Sequence, residues 1–145
     1  MKLATTTFNV KTNGPGLTDI TADIARWLAK ERADEGQLTL FIRHTSASLV
    51  IQENADPDVL KDLEAFMKRL VPWNESLYRH RTEGPDDMPA HIRAALTNVS
   101  LTIPVTAGRL ALGTWQAVYL WEHRAESQQR EVMAQLLSAC QPISS

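Results

Sequence analysis

Residues 98–105 set Val99, Leu101, Ile103 and Val105 at every second position, with Asn98, Ser100, Thr102 and Pro104 between them. A repeat of two is that of a strand with one buried face, and it does not suit a helix. Residues 37–43 show the same alternation, with Leu38, Leu40 and Ile42 set against Gln37, Thr39 and Phe41. The Thr-rich segment 2–10, with Phe8 and Val10 on one face, reads as another strand, as do 46–53 and 110–122. A chain with this many half-buried strands needs other elements to cover them.

Two amphipathic segments supply that cover. In the first, near 19–33, Leu17, Ile20, Ile24, Trp27 and Leu28 recur at helical spacing, Thr18 or Asp19 can cap the start, and Gly36 lies beyond the end. The second, 57–70, follows Asp56-Pro57 and carries Val59, Leu60, Leu63, Phe66, Met67 and Leu70 as its buried stripe. Its last turn holds Lys68 and Arg69, where cations complement the helix dipole. Asn13 to Gly16 and Ala107-Gly108 are turns by composition. The segment 130–138 has local propensity for helix and is ambiguous. The fold class expected is α+β: a strand-rich, mixed β-sandwich with two main packed helices.

The 145 residues suit one domain, 1–145, and a chain of that size buries roughly 70% of its unfolded surface. One cysteine, Cys140, cannot form an internal disulfide, so a reducing, cytoplasmic setting is expected, with Cys140 read as inert. No segment reaches the ~18 apolar residues of a membrane span, and Met1 to Thr7 lacks the apolar run of a signal peptide. A formal net charge of -2 offers nucleic acid no electrostatic footprint.

Polar chemistry gathers in three places. His44-Thr45-Ser46-Ala47-Ser48 puts an imidazole and three hydroxyls where two apolar strands meet. Such a group can bind metal or anion or move a proton, although a polar turn satisfying its own backbone would look the same. The stretch Pro72 to Pro89 lacks periodicity and is long for a connection in a compact domain. It leads into His91, so that His80, Glu83, Asp86, Asp87 and His91 place two imidazoles and three carboxylates within twelve residues. Imidazole and carboxylate are ligands of zinc and related metals, and carboxylates alone suit magnesium. The bland reading is a short helix, containing Pro89, His91, Ile92 and Leu96, capped by Asp86 or Asp87. Gly113-Thr114-Trp115-Gln116 is the third place, where a glycine beside a bulky aromatic marks a close approach or an edge bulge. HExxH, CxxC, GxSxG, P-loop and Rossmann signatures are all missing from the sequence.

These segments together resemble the YjbQ-like family, also called the secondary thiamine-phosphate synthase family. The resemblance rests on His44-Thr45-Ser46-Ala47-Ser48-Leu49 followed by Gln52 to Pro57, on Glu83-Gly84-Pro85-Asp86-Asp87-Met88-Pro89-Ala90-His91-Ile92, and on Ser100 to Gly108, Leu112 to Gln116 and Glu122-His123-Arg124. Residues 125–140 depart from it, because members close with a clean alternating strand. The resemblance implies a compact, strand-rich homotrimer. It also implies a weak thiamine-phosphate synthase activity, in which a pyrimidine pyrophosphate and a thiazole phosphate give thiamine phosphate and pyrophosphate.

Carried over by motif, His44, Glu83 and Asp87 are the catalytic candidates. His44, His80, His91 and Asp86 are the candidate ligands of a divalent metal, zinc or magnesium. Ser46, Ser48, Asn54, Trp115 and Gln116 are the candidates to line a site for a small phosphorylated molecule or anion. Two functions stay open: a metal-assisted, transferase-like enzyme acting on a small phosphorylated metabolite, or a trimeric protein that binds a small anion or metal without significant turnover.

Overall fold

The computed structural model of the protein describes residues 1–139, so Cys140 lies outside the described residues. Its strands form two antiparallel sheets. The five-stranded sheet has the order β1 (Lys2–Lys11), β8 (Gln129–Ser138), β3 (Gly36–Ile42), β5 (Ser100–Thr106) and β6 (Arg109–Leu110). The three-stranded sheet has the order β2 (Gly16–Asp19), β7 (Gln116–Glu122) and β4 (Ala47–Glu53). The core lies between them, where Val10, Leu38, Leu40, Ile42, Ile103, Val105, Val132 and Leu136 meet Leu49, Val118 and Leu120. Helix α1 (Thr21–Glu31) joins this core through Ile24 and Leu28, with Ile20 just before its first turn, and Trp27 meets Phe8 edge-on at 6.3 Å. The expected strand-rich α+β class is therefore the observed one, with antiparallel pairing throughout the two sheets.

Helix α2 (Pro57–Leu70) starts as its sequence predicts, with the Asp56 carboxylate accepting from the backbone N–H of Asp58 at 2.9 Å. Its stripe is only half used. Leu63 and Met67 pack with Val71 and Trp121, whereas Phe66 and Leu70 remain more than half exposed. The third helix, α3 (Asp87–Leu96), lies against β4.

Three local expectations need correction. Leu17 belongs to β2 rather than to the first helix: Gly14 and Gly16, at φ 102° and 135°, turn the chain so that Gly16–Asp19 can pair with β7. The helix then begins at Thr21, whose N–H donates to the Asp19 carboxylate at 2.9 Å. The expected strand 110–122 is broken. After the β5–β6 hairpin the chain leaves the first sheet, turns at Gly113, where Gln116 N–H donates to the Gly113 carbonyl at 3.1 Å, and enters the second sheet as β7. The ambiguous segment 130–138 is a strand. It pairs with β1 on one edge and β3 on the other, and this pairing on both edges overrides a weak local preference for helix.

Candidate functional site

Helix α3 brings the polar cluster together. Asp87 and His91 stand four residues apart, and so share a face of the helix. Oδ2 of Asp87 lies 2.7 Å from Nε2 of His80 and 3.1 Å from Nε2 of His91. One ligand atom from each of His80, Asp87 and His91 can be drawn within 4.8 Å of the others. His80 comes from the long loop that the sequence marked, and its side chain is 42% exposed, against 6% for Asp87. The cluster thus has a buried acidic floor and an open imidazole rim.

Hydrogen bonding fixes the chemistry of His91. Its Nδ1 lies 2.9 Å from the carbonyl oxygen of Thr45, which can only accept. Nδ1 therefore carries hydrogen, and in the neutral ring the Nε2 lone pair points at a carboxylate oxygen. Two acceptors at 3.1 Å need a positive charge between them, either a proton on Nε2 or a cation. This donor set fits a divalent metal.

Arg124 closes the opposite side. Its Nη1 lies 2.8 Å from Oδ1 of Asp87, its Nε donates to Oδ2 of Asp86 at 2.8 Å, and its Nη2 donates to the Glu83 carbonyl at 3.0 Å. Burial pushes the Asp87 carboxyl up, but the His80 hydrogen bond and the nearby His91 and Arg124 outweigh it and hold the group below the usual carboxylate range. Asp86 behaves alike: burial raises it, but the N–H of Ala125 and the guanidinium of Arg124 outweigh that effect. The Asp86 bond raises the guanidinium of Arg124 in turn.

The other candidates are placed as follows. Asp86 occupies the cap position of α3 but makes no capping bond, because its carboxylate is turned to Arg124 and Ala125 and so lies outside the three-residue cluster. Exposed Glu83 meets Arg124 through its main-chain carbonyl. His44 is also outside the cluster: its Nε2 accepts from the N–H of Glu131 at 2.8 Å, and its Nδ1 lies 3.4 Å from Nη1 of Arg130. Burial, then the charge of Arg130, lowers its proton affinity. It does share with His91 a pocket of about 270 Å³, lined also by Thr45, Ala94, Ala95 and Val99. Ser46 and Ser48 are buried away from solvent. Ser46 Oγ accepts from Nη2 of Arg130 at 3.0 Å, and fully buried Ser48 lies 2.9 Å from Nε2 of His123.

Asn54, Trp115 and Gln116 are not brought to this place. They sit at the far end of the β4–β7 pair, where Glu53 faces Gln116, whereas Ala47 faces Glu122 at the site end. Seven residues of strand put about 20 Å between those ends. Trp115 is 62% exposed, and the side-chain oxygen of Gln116 accepts from the N–H of Gly113.

Several charged residues of this region carry no role in the sequence reading. Arg130 and Glu122 form a buried ion pair, with Nε donating to Oε1 at 2.7 Å and a second, short contact between Nη2 and Oε2. Thr12 also donates to Oε1, and the N–H groups of His123 and Arg124 donate to Oε2. Burial raises the Glu122 carboxyl, but these bonds together hold it low. Burial, helped by the charge of Arg93, lowers His123 to about 3, so it is a neutral core residue. The available signal was an arginine at an inward strand position, which requires an anion; it becomes visible only once 130–138 is known to be a strand.

This geometry defines a strand-rich α+β protein with a His–Asp–His cluster of metal-ligating type, built from the first turns of its third helix and the loop before it. Residues 6–139 match the model of the family described as UPF0047 protein YjbQ-like. The chain belongs to the YjbQ-like family. It is 55% identical over 124 residues to a UPF0047 protein of Synechocystis sp., covering 86% of this chain and 84% of that one. It is 44% identical over 133 residues to the UPF0047 protein YjbQ of Escherichia coli O157:H7, covering 91% and 94%. Among solved structures, a conserved hypothetical protein of Thermus thermophilus superposes with a TM-score of 0.82 at 36% identity, over 91% of this chain and 99% of that one. A hypothetical protein of Aeropyrum pernix gives 0.85 at 28% identity, over 94% and 99%. No helix among the described residues is long and apolar enough to cross a membrane.

Proposed function

We propose that the protein is a metal-assisted enzyme acting on a small phosphorylated metabolite at the His80–Asp87–His91 cluster. One observation carries this reading: the Thr45 carbonyl fixes the hydrogen of His91 on Nδ1, so that Nε2, 3.1 Å from Asp87 Oδ2, needs a proton or a cation between the two atoms, and a divalent metal supplies the latter. Two imidazoles and a carboxylate favour a metal such as zinc over magnesium, which prefers oxygen. A divalent cation held there supplies positive charge for a developing phosphate or pyrophosphate leaving group. Asp87 holds both imidazoles through one oxygen, and Arg124 fixes its other oxygen. The adjoining pocket beside His44 and Thr45 is the place for the substrate body. Exposed Arg79 and Arg81 flank His80 in sequence and favour an anionic substrate.

The motif resemblance narrows the reaction to a weak thiamine-phosphate synthase activity, joining a pyrimidine pyrophosphate to a thiazole phosphate with loss of pyrophosphate. The second reading is binding of metal or a small anion without significant turnover. It is favoured by His44, whose Nε2 lone pair is already taken by the Glu131 N–H. Metal analysis of tag-free wild type and His91→Ala protein, followed by turnover assays on phosphorylated metabolites including the two thiamine precursors, tests both. Bound metal with turnover above the metal-only rate sustains the enzyme; bound metal or anion without turnover sustains the binder. Equal, negligible metal in both proteins removes the metal site.

A homotrimer in the cytoplasm belongs to the same proposal. Its support is the motif resemblance, together with the exposed or part-exposed apolar pairs Leu3–Leu137 and Phe41–Met133 on the outer face of the five-stranded sheet, a face that also carries Lys11 and Glu131. Exposed apolar side chains grouped in this way are typical of an interface. Light scattering at the monomer mass would reject the trimer.

A further inference from the structure

Between the end of α2 and the buried side of α3 lies a pocket of about 360 Å³, lined by Lys68, Pro72, Trp73 and Arg93. We propose that this pocket is a second binding site, for a small planar monocarboxylate. Arg93 stands two residues after His91, so it leaves the helix on a different face and belongs to a separate location.

Arg93 is 1% exposed, yet its hydrogen bonding is incomplete. Nη2 donates to the Val71 carbonyl at 2.9 Å. Nε and Nη1 have no acceptor among the described residues. Oε1 of Glu64 forms a long ion pair with Nη1 at 3.8 Å, beyond hydrogen-bond range, and makes no hydrogen bond of its own among the described residues. The other oxygen of Glu64 accepts from the indole N–H of Trp121 at 2.6 Å, which holds Glu64 back from Arg93. Buried guanidinium donors left this way call for an acceptor that the fold does not supply.

Charge and shape choose the ligand. Arg93 and Lys68 carry two positive charges, Glu64 one negative, and the difference of one suits a monoanion better than a phosphate dianion. Trp73, 46% exposed, and Pro72 form an apolar wall against which a flat ring stacks. The carboxylate end accepts from the Arg93 guanidinium, and Lys68 stands at the mouth.

The test is calorimetric titration of the full chain with benzoate, with cyclohexanecarboxylate and inorganic phosphate as comparisons. The expected result is saturable binding of benzoate, tighter than either comparison. Trp73→Ala should weaken it at least tenfold and Lys68→Ala several-fold, and His91→Ala should leave it unchanged. Arg93→Met should abolish binding; because Trp73→Ala and Lys68→Ala alter exposed positions, the test survives if Arg93→Met fails to fold. Absence of saturable benzoate binding, or binding indifferent to both Trp73→Ala and Lys68→Ala, overturns the site and leaves buried water as the partner of Arg93.

Discussion

The Nδ1–H of His91 donates to the carbonyl of Thr45 across 2.9 Å, tying the third helix to the loop between β3 and β4. This bond joins the first and second polar motifs of the sequence, which are 46 residues apart. It also decides which imidazole nitrogen faces Asp87. A backbone acceptor that sets a histidine tautomer in this way is a usual companion of metal ligation.

Asp87→Asn separates the site reading from the cap reading. An asparagine caps a helix nearly as well as an aspartate, so a cap would survive the change. Here the Asp87 carboxylate instead meets His80, His91 and Arg124. Metal content and any activity are expected to fall at least ~10-fold, the lower end for loss of a partner that orients ligands. His91→Ala should fall as far while remaining folded. Elemental analysis and circular dichroism on the same samples check both; a metal-replete Asp87→Asn protein would confine the site to the histidines.

Asp86 is expected to matter for stability more than a cap does. Its carboxylate receives Arg124 Nε at 2.8 Å and the Ala125 N–H at 2.9 Å. Asp86→Asn keeps the shape and removes the charge that Arg124 faces. Charge-assisted bonds of this kind contribute about 1.5–3 kcal/mol, so urea denaturation should show a loss in that range. A loss below about 0.5 kcal/mol, the typical scatter of surface substitutions, would argue against it.

The sequence made the strands 37–43 and 98–105, the cap at Asp56 and the gathering of His80, Asp87 and His91 legible, because each depends on short-range spacing. The partners of those residues were not legible. Arg124 reaches Asp86 across 38 positions and Arg130 reaches Ser46 across 84, and no local pattern encodes such distances. Strand β8 shows the same limit: its identity comes from two neighbours, and without it the inward-facing Arg130 could not be read as the partner of Glu122. Trp115 and Gln116 share a motif with site residues by resemblance, yet the register of β4 against β7 carries them to the other end.

Acid should destabilise the fold from slightly acidic pH downward. His123 ordinarily titrates near 6.5 and is lowered to about 3 by burial and by Arg93. Between those values the unfolded chain binds a proton that the folded chain refuses, so stability falls as pH falls through this window. Glu122 adds to the loss below its ordinary value of 4.5, because its folded carboxyl is held low. Each such proton contributes a slope of about 1.4 kcal/mol per pH unit. Urea midpoints from pH 7.5 to 4 should therefore decline for wild type and decline less steeply for His123→Gln. Parallel curves would show that His123 is not the group responsible.

Gly36 is expected to tolerate no side chain. It opens β3 opposite Ser138, the last residue of β8. A Cβ built there collides with the carbonyl oxygen of Leu137 and comes within 2.9 Å of Ser138 Cα. Both are backbone atoms of a paired strand, and neither can move aside as the tip of a flexible side chain could. Gly36→Ala must push the two strands apart or shift their register, at the edge where Leu38 and Leu136 enter the core. Overpacking of this kind costs about 1–3 kcal/mol, outweighing the roughly 0.4–1 kcal/mol that alanine contributes by restricting the unfolded chain. Thermal unfolding should show Gly36→Ala below wild type, while Gly16→Ala, where no atom lies within 4 Å of a built Cβ, reports the strain of a φ of +135° alone. A Gly36→Ala protein as stable as wild type would mean that β3 and β8 are spaced more widely at this end than their pairing of Gly36 with Ser138 requires.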